Sequence, residues 1–131
     1  MDGAAELVRA VAAAGIPDCV ASSGGHDKMR RTLGRAGLLE HFEGRIFSAT
    51  EVAHGKPAPD LFWHAAKQMG FEPAGCAVIE DSPFGVQAGV AAGMTVVGYC
   101  GGVSERSDLQ AAGAWQVTDD LRAIRKLLQL S

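Results

Sequence analysis

The chain has 131 residues, 47% of them hydrophobic and 21% charged, with a formal net charge of −3. That length suits one domain with a single core, and that balance reads as soluble and globular rather than disordered. No basic run offers a nucleic-acid surface, and no apolar stretch is long enough for a membrane span. The amino terminus lacks a charged-then-apolar leader pattern, so a cytoplasmic protein is expected.

Residues 4–14 carry Leu7, Val8, Val11 and Ala12 on one helical face, and Gly15 suits the left-handed position that ends a helix. A strand is expected over Ile16–Ala21, a helix over His26–Arg35, a short helical turn over Leu38–Phe42 and a strand over Arg45–Ser48. Pro59 fits a first helical position, because its missing amide hydrogen would have no partner there. The helix it opens buries Leu61, Phe62, Ala65, Ala66 and Met69 and stops at Gly70. Cys76–Ile79 reads as a central parallel strand, Pro83–Ala92 as a small-residue helix and Thr95–Tyr99 as the next strand. A weak helix near Asp108 and a strand over Trp115–Val117 follow. The last helix takes Thr118 as N-cap, with Asp119 and Asp120 at its positive end and Leu121, Ile124, Leu127 and Leu128 facing inward.

This alternation predicts an α/β fold: one Rossmann-like domain over residues 1–131, with a parallel sheet and helices on both faces. Ligands of such sheets gather at the carboxyl ends of the strands. Three groups fall at that rim. Ser22 and Ser23 precede Gly24-Gly25 and a helix start, a pattern that cradles an anion as well as making an ordinary turn. Lys56 stands in the stiff loop Gly55-Lys56-Pro57, where a compact positive charge suits phosphate oxygens. Glu80-Asp81 ends an apolar strand, and two adjacent acids there call for a cation or a basic neighbour. Their hard oxygens suit magnesium, while Asp81 or Ser82 equally suits capping of the helix that Pro83 begins.

Cys19, Cys76 and Cys100 have no close-spaced partner of the zinc-binding kind and read as small buried hydrophobes. His26, His41, His54 and His64 are scattered, and no ligand role is assigned to them. No Gly-x-Gly-x-x-Gly turn follows a first strand, so dinucleotide binding has no support. A response-regulator receiver would place its acids first and its lysine last, the reverse of the order here.

Ser22 after an apolar strand, Lys56 in Gly-Lys-Pro-x-Pro-Asp, and Glu80-Asp81-Ser82-x-x-Gly85 with Ala88-Gly89 and Ala92-Gly93-Met94 together resemble the haloacid dehalogenase-like (HAD) hydrolase superfamily. The likeness is to its phosphoglycolate-phosphatase and beta-phosphoglucomutase branch, and runs from about Gly3 to Gly98. It implies that Ser22, helped by the Ser23 amide, binds a phosphoryl group and that Lys56 bridges phosphate and nucleophile. It also implies that Asp81, with Glu80, holds Mg2+. The implied reaction is phosphoryl transfer to an aspartate and hydrolysis of that aspartyl phosphate, on a small phosphorylated metabolite. Dehalogenation uses no magnesium and gives no reason for the acid pair.

That superfamily carries its nucleophile in Asp-x-Asp-Gly on a first strand, and this chain has no such motif. Met1-Asp2-Gly3 has no apolar strand before it, so Asp2 is not expected to be the nucleophile. The resemblance therefore implies a partial core: first strand and substrate-reading cap lie elsewhere, and the chain alone is inactive. The absent strand belongs between those ending at Ala21 and Ile79, leaving a hydrophobic slot and two strand edges open to self-association. The alternatives are a non-catalytic binding or regulatory module of the same descent and a phosphoglucomutase-type enzyme.

Overall fold

Helices and strands alternate along the chain, as the hydrophobic periods require. The computed structural model describes residues 3–128; Asp2 lies outside the described residues. In chain order the elements are α1 (Ala4–Ala13), β1 (Val20–Ser22), α2 (His26–Arg35), α3 (Leu39–Phe42), β2 (Ile46–Ser48) and α4 (Asp60–Met69). Then come β3 (Ala77–Glu80), α5 (Pro83–Ala91), β4 (Thr95–Tyr99), α6 (Arg106–Ala111), β5 (Gln116–Thr118) and α7 (Leu121–Leu127).

All strand pairings are parallel, but they form two sheets. β1 pairs with β2, Ser22 opposite Ser48. The second sheet runs β3-β4-β5, with Glu80 opposite Gly98 and Gly98 opposite Val117. Among the described residues no strand pairing joins β1 to β3. Helices cover both faces, as an α/β fold demands. On one, Val78 and Val96 meet Phe62, Val86, Ala88 and Leu109. On the other, Val97 and Tyr99 meet Leu7, Leu121 and Ile124. β4 thus alternates Val96 to one layer and Val97 to the other, the period of two expected for a strand. Beside the first sheet, Ile46 packs with Met29 and Phe42, and Phe47 with Leu61 and Ala65.

Small residues let α5 approach the sheet. A Cβ on Gly89 would lie 2.5 Å from Val96 Cγ2, so a methyl there would have to displace a stiff β-branched side chain.

Four details depart from the sequence expectations. β3, expected as a central strand, lies at an edge of its sheet among the described residues, with Ala77 and Ile79 exposed. Thr118 is not the N-cap of the last helix but the final residue of β5. Its hydroxyl turns back to accept the Asp120 amide at 3.1 Å, and Asp120 caps α7 by accepting the Arg122 amide at 3.0 Å. β1 is shorter than Ile16–Ala21, because its partner β2 has only three residues and Asp18 is engaged by Arg45. Pro59 is the N-cap of α4 and not its first residue, its carbonyl accepting the Trp63 amide at 3.0 Å.

Candidate functional site

The carboxyl ends of β1 and β3 face a cavity of about 490 Å3 whose walls include Ser22, Ser23, Lys56, Glu80 and Asp81. All five residues singled out in the sequence therefore share one opening, which lies between the two sheets. Ser22 ends β1, and its hydroxyl accepts the Gly24 amide at 3.2 Å. The same loop is tied down from β2, where the buried Ser48 hydroxyl donates to the Gly24 carbonyl at 2.7 Å. Gly25 is the N-cap of α2, and its lack of a side chain leaves the helix amides without a side-chain cap.

Lys56 reaches the opening from the loop between β2 and α4, with a cis peptide bond to Pro57. Its side chain is buried to 9% exposure over the Phe62 ring, 5.0 Å from the centroid. The ammonium donates to Glu80 Oε2 at 2.8 Å and to the Ala21 carbonyl at 3.3 Å, so one side chain bridges β1 and β3. Burial raises the Glu80 carboxyl above its ordinary value. The Lys56 charge and hydrogen bond pull it back down, and Asp81 pushes it up again. Asp81 itself is exposed. Ser82 caps α5 by accepting the Gly85 amide at 3.0 Å, which decides the capping question left open between it and Asp81.

The donor set fits a hard cation in kind. Exposed Asp81 offers free carboxylate oxygens, while Glu80 gives one oxygen to Lys56. Magnesium takes one or two protein carboxylates and keeps several waters, so a site completed by donors from elsewhere matches this pair. Among the described residues no group of three or more His, Cys, Asp or Glu is arranged to hold a metal.

A second polar cluster escaped the sequence reading. Glu51 Oε2 meets His26 Nε2 at 2.9 Å, and Oε1 meets His64 Nε2 at 3.2 Å. Its carboxylate also accepts the Ser48 amide, closing a capping box on the 3-10 turn Ala49–Glu51. One acid thereby gathers α2, α4 and the turn after β2. The Ser48-x-x-Glu51 spacing was the available signal for the cap; nothing local announces the histidines, which lie 25 and 13 residues away.

The Ser48 amide is the largest influence holding the Glu51 carboxyl below its usual range, with both histidines adding to it against desolvation. A lowered carboxyl contributes stability present above its unfolded value and lost as pH falls through the folded one. Wild type should therefore keep its thermal-stability advantage over Glu51→Gln from neutrality down to about pH 4.5 and lose it on further acidification. Melting curves of both proteins from pH 7 to 3 test this; an advantage that grows below pH 4 contradicts it.

The cysteines are half-buried and free. Burial is the main reason that the Cys19 thiol is pushed up to about 11, which keeps it unreactive at neutral pH.

The haloacid dehalogenase-like hydrolase model matches residues 1–93. Among curated relatives, the 6-phosphogluconate phosphatase of Escherichia coli (strain K12) is 37% identical over 100 residues, covering 76% of this chain and 44% of that protein. A Mycobacterium bovis beta-phosphoglucomutase is 36% identical over 126 residues, covering 92% of this chain and 47% of its own length. The chain thus spans about half the length of the curated relatives it matches. Among solved structures, a HAD family hydrolase from Deinococcus radiodurans R1 with bound phosphate and sodium superposes with a TM-score of 0.91 at 37% identity. It is covered over 58% of its length, by 98% of this chain.

Proposed function

The chain belongs to the haloacid dehalogenase-like hydrolase family, and we propose that it forms the phosphoryl-binding part of a magnesium-dependent phosphatase for small phosphorylated metabolites. The observation that carries this reading is the common cavity on which Ser22, Lys56, Glu80 and Asp81 open, at the strand ends where α/β sheets bind ligands. Several relatives are named as phosphatases of small phosphate esters, among them the E. coli 6-phosphogluconate phosphatase.

In this reading the Ser22 hydroxyl and Ser23 amide bind phosphoryl oxygens, and the Lys56 ammonium offsets charge on the phosphate and on an attacking carboxylate. Asp81, with Glu80, holds the cation, and bound magnesium supplies charge neutralisation for the transferring group. The attacking aspartate comes from outside these 131 residues, on a segment that enters between β1 and β3. Without that segment the two strand edges favour self-association. The setting is cytoplasmic. A phosphomutase is the second reading, favoured by the beta-phosphoglucomutase relative that covers 92% of this chain.

The first test is turnover: the chain alone, with magnesium and p-nitrophenyl phosphate, should release no phosphate above background. Steady release, abolished by Asp81→Asn, would show a nucleophile within the chain. The second is binding: magnesium with inorganic phosphate should raise the melting temperature, and Asp81→Asn should remove the rise. A rise of equal size in Asp81→Asn refutes the cation role.

A further inference from the structure

Gly85, buried in the first turn of α5, has no backbone reason to be glycine. Its φ is not among the positive ones, and within a helix glycine is disfavoured relative to alanine. What requires it is a neighbour. A Cβ on Gly85 would lie 2.0 Å from Glu80 Oε1, 2.2 Å from its Cδ and 2.5 Å from its Oε2. The Glu80 carboxylate thus lies flat against the helix backbone, in space that any other residue would fill. That carboxylate is the one holding Lys56 at 2.8 Å. The Ser82 cap on the Gly85 amide fixes the turn beneath it.

We infer that Gly85 is a positioning residue: by lacking a side chain it seats Glu80, and Glu80 in turn aims the Lys56 ammonium at the cavity. The functional consequence rests on the phosphoryl-binding role proposed above; the seating itself does not.

The geometry makes Gly85→Ala a selective lesion. The atoms in the way belong to the far end of a side chain and not to backbone, so the carboxylate gives way while α5 gains a better helix former. The fold should survive and Lys56 should be released. Competitive acetylation at one fixed pH, read by peptide mass spectrometry, measures this directly, with exposed Lys28, Lys67 and Lys126 as internal references. Lys56 should react slowly in wild type and roughly tenfold faster in Gly85→Ala, the order of change that losing a charge-assisted hydrogen bond brings. The references should not move. Adding Glu80→Asp, one methylene shorter, makes room for the new Cβ, so Lys56 should react no faster in the double variant than in Glu80→Asp alone. Folded Gly85→Ala with Lys56 as protected as in wild type overturns the inference. Should Gly85→Ala fail to fold, the double variant carries the same Cβ and decides: Lys56 reacting as in Glu80→Asp alone supports the inference, Lys56 reacting faster than in Glu80→Asp or an unfolded chain overturns it. Inorganic phosphate separates the two readings. Lys56 released with phosphate binding unchanged supports the seating by Gly85 and counts against the role of Lys56 in phosphoryl binding.

Discussion

Lys56→Met should destabilise the chain by about 3–5 kcal/mol in urea unfolding at pH 7, the range for removing one partner of a buried ion pair. Both side chains of the pair are about 90% shielded, at 9% and 10% exposure, so solvent does little to screen the loss. What remains is a buried carboxylate whose largest influence is already desolvation, now without the ammonium that offset it. Glu80→Gln should cost less, about 1–3 kcal/mol, because it removes the charge that burial opposes and keeps an oxygen for Lys56, while the buried ammonium loses its counter-charge. The sign follows from the raised carboxyl. Its protonation contributes stability that is complete below the unfolded value and lost as pH rises through the folded one. Wild type should therefore lose ground to Glu80→Gln between pH 4.5 and neutrality. A Lys56→Met variant as stable as wild type would show that the pair is not the buried bridge described here.

Leu109→Ala is expected to cost about 2–5 kcal/mol, the range for emptying a packed leucine site. Leu109 is fully buried among Val86, Val96 and Phe62, and it fills the hollow over Gly98, where a Cβ would stand 3.2 Å from it. Because Gly98 lies opposite both Glu80 and Val117, the cavity forms at the middle of the three-stranded sheet, one strand from the site. The comparison is Val103→Ser in the adjoining loop, 99% exposed, which should change stability by no more than about 0.5 kcal/mol. Equal midpoints for the two variants would mean that Leu109 does not anchor α6.

Periodicity carried most of the fold. The apolar steps from Leu61 to Met69 and from Leu121 to Leu127 fall on the helices they suggest, and the runs Val78-Ile79 and Val96-Val97 on strands. These signals are local, and burial acts on them at a fixed period. The candidate site was legible as a set, since Ser22, Lys56 and the Glu80-Asp81 pair each end a strand or stand in a stiff loop. The pairing inside the set was not. Glu80 meets Lys56 across 24 residues of chain, and a carboxylate that reads as a cation ligand looks the same in sequence as one that holds an ammonium. Gly85 was visible as a letter of a motif without its cause, which is a contact with another residue's side chain. Thr118 misled because threonine suits a cap wherever a helix follows; tertiary pairing with β4 extended the strand through it and passed the cap to Asp120.

The two sheets have a mechanical meaning. Adjacent strands normally transmit strain through a ladder of amide bonds, whereas among the described residues no such ladder joins the leaf β1–β2 to the leaf β3–β5, and packed side chains with the Lys56 ammonium span the gap. Such a body should bend along the gap more readily than within either half. Tightening or loosening one lysine is then expected to change how widely the halves part, and with it the room available to whatever enters between them.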